Sequence, residues 1–267
     1  MRLSNKVVFI TDAGSESGRA LSLRLAQDGA HLVLNSKAND AGIPNLAQAC
    51  RAFGSQVVVV RADLRHRASI AGVLEQVSGQ LGFIDILLHN NSSHERASVE
   101  DGSEDGFLRV LRENAKTAFC CTQAIGGQMA DRGSGTVLYL GSIHAEKPSG
   151  AAFSYSVSQG AIQMLAQEAA LFLGRHGVQV NYLQLGPMDD ADRMFGSTIS
   201  ALYDNYRRKI PGGAVGTYDE LASIISFLGT GEARCLNGAC LRLDGGFLLH
   251  YMDHKMAKPV GEEDSKT

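Results

Sequence analysis

Short, almost wholly apolar runs alternate along this chain with longer stretches in which apolar residues return every three or four positions. The runs are Lys6–Thr11 (KVVFIT), His31–Ser36 (HLVLNS), Gln56–Arg61 (QVVVVR), Ile84–His89 (IDILLH), Thr136–Gly141 (TVLYLG), Val178–Leu185 (VQVNYLQL) and Ala239–Leu243 (ACLRL). Most are rich in β-branched residues and lack the in–out alternation of a half-solvated strand, so they predict strands buried on both faces of a parallel sheet. Between them, helices are predicted over Ser17–Asp28, Gly42–Ala52, Arg67–Gln80, Glu113–Arg132, Ser154–Gly174 and Tyr218–Leu228. Strand and helix in alternation give an α/β fold, a doubly wound parallel sheet with helices on both faces. One domain is expected over residues 1–250, with a polar C-terminal extension at 251–267. A partly helical lid is expected at about 187–213, where Met194, Phe195, Leu202, Tyr203 and Tyr206 fall.

Composition adds boundaries. A chain of 267 residues buries one substantial core without needing a second domain. With 44% hydrophobic and 20% charged residues, a formal charge of -3 and no Lys/Arg block, nothing calls for nucleic acid as a partner. No run reaches the about 18 apolar residues of a membrane span, and the N-terminus enters a strand without a secretory h-region. No membrane association and a cytoplasmic location are therefore expected. The 5 cysteines are odd in number and form no CxxC, which favours core or interface thiols over metal or redox work. His250, Asp253 and His254 could share a helix face, yet nothing supplies further ligands nearby, so no metal is expected.

The stretch Lys6–Ala20 (KVVFITDAGSESGRA) joins strand, small-residue turn and helix. Such a turn lets backbone N–H groups and a helix N-terminus face a pyrophosphate. The layout resembles the classical short-chain dehydrogenase/reductase family, in its ketoacyl-reductase-like form, and the resemblance runs from about Lys6 to Gly246. It implies a Rossmann-like sheet. The family's turn reads TGxxxGxG, and its glycine positions fall on Asp12, Glu16 and Gly18, so only Gly18 is retained. A carboxylate about 4 Å from a phosphate charge costs roughly 4 kcal/mol at an effective dielectric near 20, before screening. One third of that is roughly a tenfold loss of affinity.

Further landmarks follow from the same resemblance. Asn90-Asn91-Ser92-Ser93 stands where the family has NNAG, and Asn114 matches a structural and proton-relay asparagine. Ser142 and, thirteen residues later, Tyr155 match the residues that bind the substrate oxygen and carry its proton. The Tyr-x-x-x-Lys motif is broken, because Gln159 stands at the lysine position. Residues four apart share a helix face, so Gln159 is expected where the lysine would point; an uncharged amide does not favour a tyrosinate. Asp63 matches an adenine contact and could equally cap the next helix. Lys37 suits the 2′-phosphate of NADP(H), or is a plain solvated lysine. Gly186-Pro187 and Asp244-Gly245-Gly246 match family strand ends, and Asp189 and Asp190 add carboxylates nearby. Lys147 or His144 could replace the lost lysine, and Arg19 or Lys37 could neutralise Asp12 or Glu16.

Two damaged subsystems lead first to a cofactor-free or non-catalytic binding or partner subunit, with no nicotinamide cofactor or a weakly held one. NADP(H) is slightly favoured over NAD(H) if one binds. The alternatives are an atypical NADP(H)- or NAD(H)-linked reductase of a small carbonyl compound, and a cofactor-free dehydratase or isomerase using Tyr155 and Ser142. Small residues along Ser154–Gly174 suggest close helix packing, and the family resemblance implies a homodimer or homotetramer. Assembly with an intact homologue, and a small-molecule ligand, are further expectations.

Overall fold

The computed structural model describes residues 1–36, 40–188 and 209–249. Seven strands form one sheet in the order β3-β2-β1-β4-β5-β6-β7. They are β1 (Val7–Ile10), β2 (His31–Asn35), β3 (Val57–Val60), β4 (Ile86–His89), β5 (Gly135–Ser142), β6 (Val178–Leu185) and β7 (Cys240–Leu243). Every pairing is parallel, from Phe9 opposite Val33 and Leu87 to Ser142 opposite Leu185. The strand order reverses between β1 and β4, which leaves a crevice at their carboxyl ends.

Both faces of the sheet are covered, as the apolar runs require. Along β1, Val7 and Phe9 pack into one core with Ile70, Val77, Ile125 and Ile162. Val8 and Ile10 pack into the other, with Leu21, Leu25, Ile43 and Ile225. Helices α1 (Glu16–Gln27), α2 (Ile43–Ala52) and α8 (Tyr218–Gly229) supply the second core. Helix α3 (Arg67–Gln80) and helix α7 (Phe153–Leu173) serve the first. Each fully buried Leu, Ile or Phe contributes about 1.5–3 kcal/mol relative to its exposed state.

One helix differs from expectation. The run expected at Glu113–Arg132 starts earlier, as α4 (Glu104–Leu111), and continues through α5 (Thr117–Cys121) and α6 (Gly127–Arg132). Single π turns at Arg112–Lys116 and Thr122–Gly126 join the three. The early start has a local cause: the Ser103 hydroxyl accepts the Gly106 N–H at 3.0 Å, and Glu104 and Asp105 sit favourably in the positive first turn. A stretch as polar as Ser98–Glu104 concealed it. The Leu248–Met256 segment is described only as far as a short 3-10 turn at Phe247–Leu249. His250, Asp253, His254 and the extension 251–267 lie outside the described residues, as do Lys37, Asp189, Asp190 and most of the expected lid.

Candidate functional site

A cleft of about 1010 Å3 opens at the carboxyl ends of the strands and gathers most of the sequence-expected residues. Asp12, Glu16, Asp63, Asn90, Ser142, Tyr155 and Gly186 all line it. Gln159 and Asn114 do not.

The β1–α1 turn is held from within. Asp12 Oδ1 accepts the Ser15 N–H at 3.2 Å, and the Ser15 hydroxyl, at the N-cap of α1, accepts the Gly18 N–H at 3.1 Å. Asn90, on the far side of the switch point, braces the same turn. Its Oδ1 accepts the Asp12 N–H at 2.8 Å and the Thr11 hydroxyl at 3.2 Å, while its Nδ2 donates to the Asp12 carbonyl at 2.8 Å. The asparagine thus stabilises the turn. Gly18 is required by contact: a Cβ there would lie 2.0 Å from the Asp12 carbonyl oxygen, a backbone atom with no room to retreat.

Arg19 does not turn to Asp12 or Glu16 in the way expected of a neutralising group. It grips Asp40 with two bonds, at 2.6 and 2.8 Å, and donates Nε–H to the Gly14 carbonyl at 3.0 Å. The Asp40 carboxyl is held below the usual range: burial raises it, and bonds from the Gly42 N–H and Arg19 outweigh that. Asp40, 21 residues on, was not legible as Arg19's partner because the intervening strand and turn had to be placed first.

Asp63 neither caps a helix nor offers an open carboxylate. His66 occupies the N-cap position of α3. Arg65 takes both carboxylate oxygens at 2.8 Å, and this pairing holds the Asp63 pKa down to about 2 against an ordinary 3.8. A depressed folded-state pKa gives stability that is complete above the unfolded value and is lost as pH falls through the folded one. Acid unfolding is therefore expected to lose a small increment between about pH 4 and pH 2, and Asp63→Asn to flatten that interval in a urea-midpoint series. The group is partly exposed, so solvent screening keeps the increment small.

Around Tyr155 the sequence expectation of a Ser–Tyr pair is met, with neighbours it did not foresee. The phenol lies 3.2 Å from the Ser92 hydroxyl, and burial pushes its pKa up while bonds from Ser92 and Ser142 oppose the shift. His144 and His94 stand edge-on to the ring, with centroids at 5.8 and 6.3 Å. Ser142 is buried, and its hydroxyl accepts the His144 N–H at 3.2 Å. Its backbone N–H is bonded at 3.0 Å by the Tyr182 hydroxyl. Tyr182 packs so closely on Gly141 that a Cβ at that glycine would meet the ring at 1.9 Å. A glycine in a buried strand was the available signal of such an approach.

Asn114 sits in the first π turn, wholly buried. It accepts the Ser93 N–H at 2.8 Å and donates to the Ser93 carbonyl at 2.7 Å and to the Ser158 hydroxyl at 2.9 Å. Its carboxamide fixes the loop after β4 against α7. Gln159 departs from expectation. It is 1% exposed on the buried stripe of α7, and neither amide atom has a hydrogen-bond partner among the described residues. A neutral amide can be drawn under the surface at a cost that would be far higher for an ammonium group. Lys147 lines the cleft from the segment after Ser142. Among the described residues no group of three or more His, Cys, Asp or Glu is placed to hold a metal, and no helix is long and apolar enough to cross a membrane.

An all-parallel, doubly wound sheet with a Ser–Tyr pair at its carboxyl edge defines a class, and comparison with known proteins agrees. The family model described as enoyl-(acyl carrier protein) reductase matches residues 15–248, and the chain belongs to this short-chain dehydrogenase/reductase family. A short-chain dehydrogenase/reductase of Armillaria gallica is 29% identical over 251 residues, covering 91% of this chain and 96% of the relative. The L-rhamnose 1-dehydrogenase (NAD(P)+) of Azotobacter vinelandii is 28% identical, with 94% and 99% covered. The solved structure of an NAD+-bound xylitol dehydrogenase superposes with a TM-score of 0.85 at 26% identity, covering 92% of this chain and all of that one (100%).

Proposed function

We propose that this chain is a family member that has left nicotinamide chemistry and uses its cleft to bind a small molecule, as a subunit working with copies of itself or with an intact homologue. The observation that carries the reading is the Asp12 carboxylate bonded to the Ser15 N–H, inside the turn where a pyrophosphate would need N–H donors. The residues present fit a dinucleotide poorly on three further counts. Gly18 N–H is taken by Ser15, Asp63 by Arg65, and Gln159 lies below the cleft wall. Glu16 adds a second carboxylate to the cleft lining.

The cleft is open, at about 1010 Å3, and carries the Ser142–Tyr155 pair in its lining, which supports ligand binding over a purely structural role. Assembly is supported by large apolar side chains left exposed on two neighbouring helices: Phe119 on α5, and Met164, Leu171 and Phe172 on α7. Calorimetric titration of the full chain with NAD(H) and NADP(H) tests the reading. Dissociation constants weaker than about 0.1 mM are expected for all four nucleotides. Tighter binding accompanied by reduction of a carbonyl compound would instead make the chain an atypical reductase.

A further inference from the structure

We propose that the ligand of the cleft is a small monocarboxylate with a ring-sized apolar body, and that Lys147 and Ser92 select it. This rests on the binding reading above and adds the chemical class of what is bound. Neither side chain is a motif residue of the family: Ser92 stands at the alanine of NNAG, and Lys147 follows Ser142 by five positions. The fold brings the two segments together around Tyr155. The Ser92 hydroxyl lies 3.2 Å from the phenol oxygen, and His144, three residues before Lys147, stands edge-on to the same ring. Lys147 and Ser92 both line the cleft from exposed positions, so a bound molecule can touch them.

Charge decides the class. Glu146, the acidic neighbour of Lys147, is engaged elsewhere: its carboxylate lies 3.5 Å from Arg242 and accepts from the Gln184 amide at 3.4 Å. The Lys147 ammonium has no ion pair or hydrogen bond among the described residues. The other carboxylates of the cleft are set apart or paired. Asp12 and Glu16 follow β1, and β4 lies between β1 and the strand that leads to Lys147. Asp63 is held by Arg65, and Glu113 lies 3.8 Å from Arg109. One ammonium balances one carboxylate, and the Ser92 hydroxyl can donate to the second carboxylate oxygen. A phosphate monoester carries about 1.5 to 2 negative charges near neutral pH and would leave an uncompensated remainder in a cleft that also holds Asp12 and Glu16. An exposed ion pair alone gains little over water, so the ligand needs an apolar body as well. Ile143, Leu185, Met188 and Phe247 offer it contact in the same lining.

The test is a ligand-observed NMR titration of the full chain, without nucleotide, using cyclohexanecarboxylate, its carboxamide and cyclohexyl phosphate. We expect the carboxylate to bind at least about tenfold more tightly than the carboxamide, the lower end for a hydrogen bond to a charged group. Lys147→Met should abolish that preference while leaving carboxamide affinity unchanged, and Lys147→Arg should retain it. Lys147→Gln replaces the methionine form if that variant fails a thermal-unfolding check. Equal affinity for carboxylate and carboxamide, or no binding of either, overturns the proposal. So does tighter binding of the phosphate ester, or an unchanged preference in a folded Lys147→Met protein. Carboxamide binding without a preference would leave the binding reading standing, whereas a tight NADPH complex in parallel calorimetry would overturn that reading whatever the carboxylate does.

Discussion

Replacing Asp12 and Glu16 together by glycine is expected to tighten NADPH binding by about 100-fold, roughly tenfold per carboxylate removed. Two effects act in the same direction. Removing the Asp12 side chain releases the Ser15 N–H from its internal acceptor, and removing both carboxylates lifts like-charge repulsion from the phosphates. A 100-fold gain is about 2.7 kcal/mol, so a freed hydrogen bond to a charged group, about 1.5–3 kcal/mol, is comparable in size with the screened Coulomb cost. Calorimetry on parent, single and double variants measures it. An unchanged dissociation constant in the double variant would show that the turn is not what keeps the nucleotide out. Gln159→Lys should not help on its own, since a position 1% exposed would have to bury an ammonium group or expel it.

Gly141→Ala is expected to destabilise the fold by about 3 kcal/mol, the upper range for overpacking a close-fitted core. The added methyl would lie 1.9–2.1 Å from Cζ, Cε2 and the hydroxyl of Tyr182, near the carboxyl ends of paired strands β5 and β6. Neither strand can move aside, because each is hydrogen-bonded on both edges. A double-mutant cycle isolates the contact. In a Tyr182→Val background, where the ring is gone, Gly141→Ala should cost less than about 1 kcal/mol. Equal penalties in both backgrounds, read from urea midpoints, would locate the strain elsewhere.

The sheet was legible from the apolar runs because a parallel strand buried on both faces has few alternatives to an all-apolar sequence. All seven strands fall within the expected runs or within a residue of them. Helix α4 was not legible, since Gly106 interrupts its pattern and the capping Ser103 sits among other polar residues. In the site, residues fixed by motif spacing came together: Ser142, Tyr155 and Asn90. Their partners did not, because spacing along one strand or helix says nothing of what faces it. Tyr182 reaches Ser142 from the neighbouring strand, Arg19 turns to Asp40, and Gln159 withdraws into the core. The broken YxxxK motif told which charge was missing; it could not tell that the replacement would sink.

The position of Asn90 has a consequence for how the molecule comes together. Strands β1, β2 and β3 pair among themselves using only the first sixty residues, whereas the other edge of β1 must wait for β4. Leaving the ribosome, the chain carries that unsatisfied edge while more than twenty further residues are made, an interval in which strand edges invite aggregation. The bonds from Asn90 to Thr11 and Asp12 span 79 and 78 positions. They close the seam between an early block and a late one, so the same side chain that shapes the mouth of the cleft also latches the two halves during biogenesis.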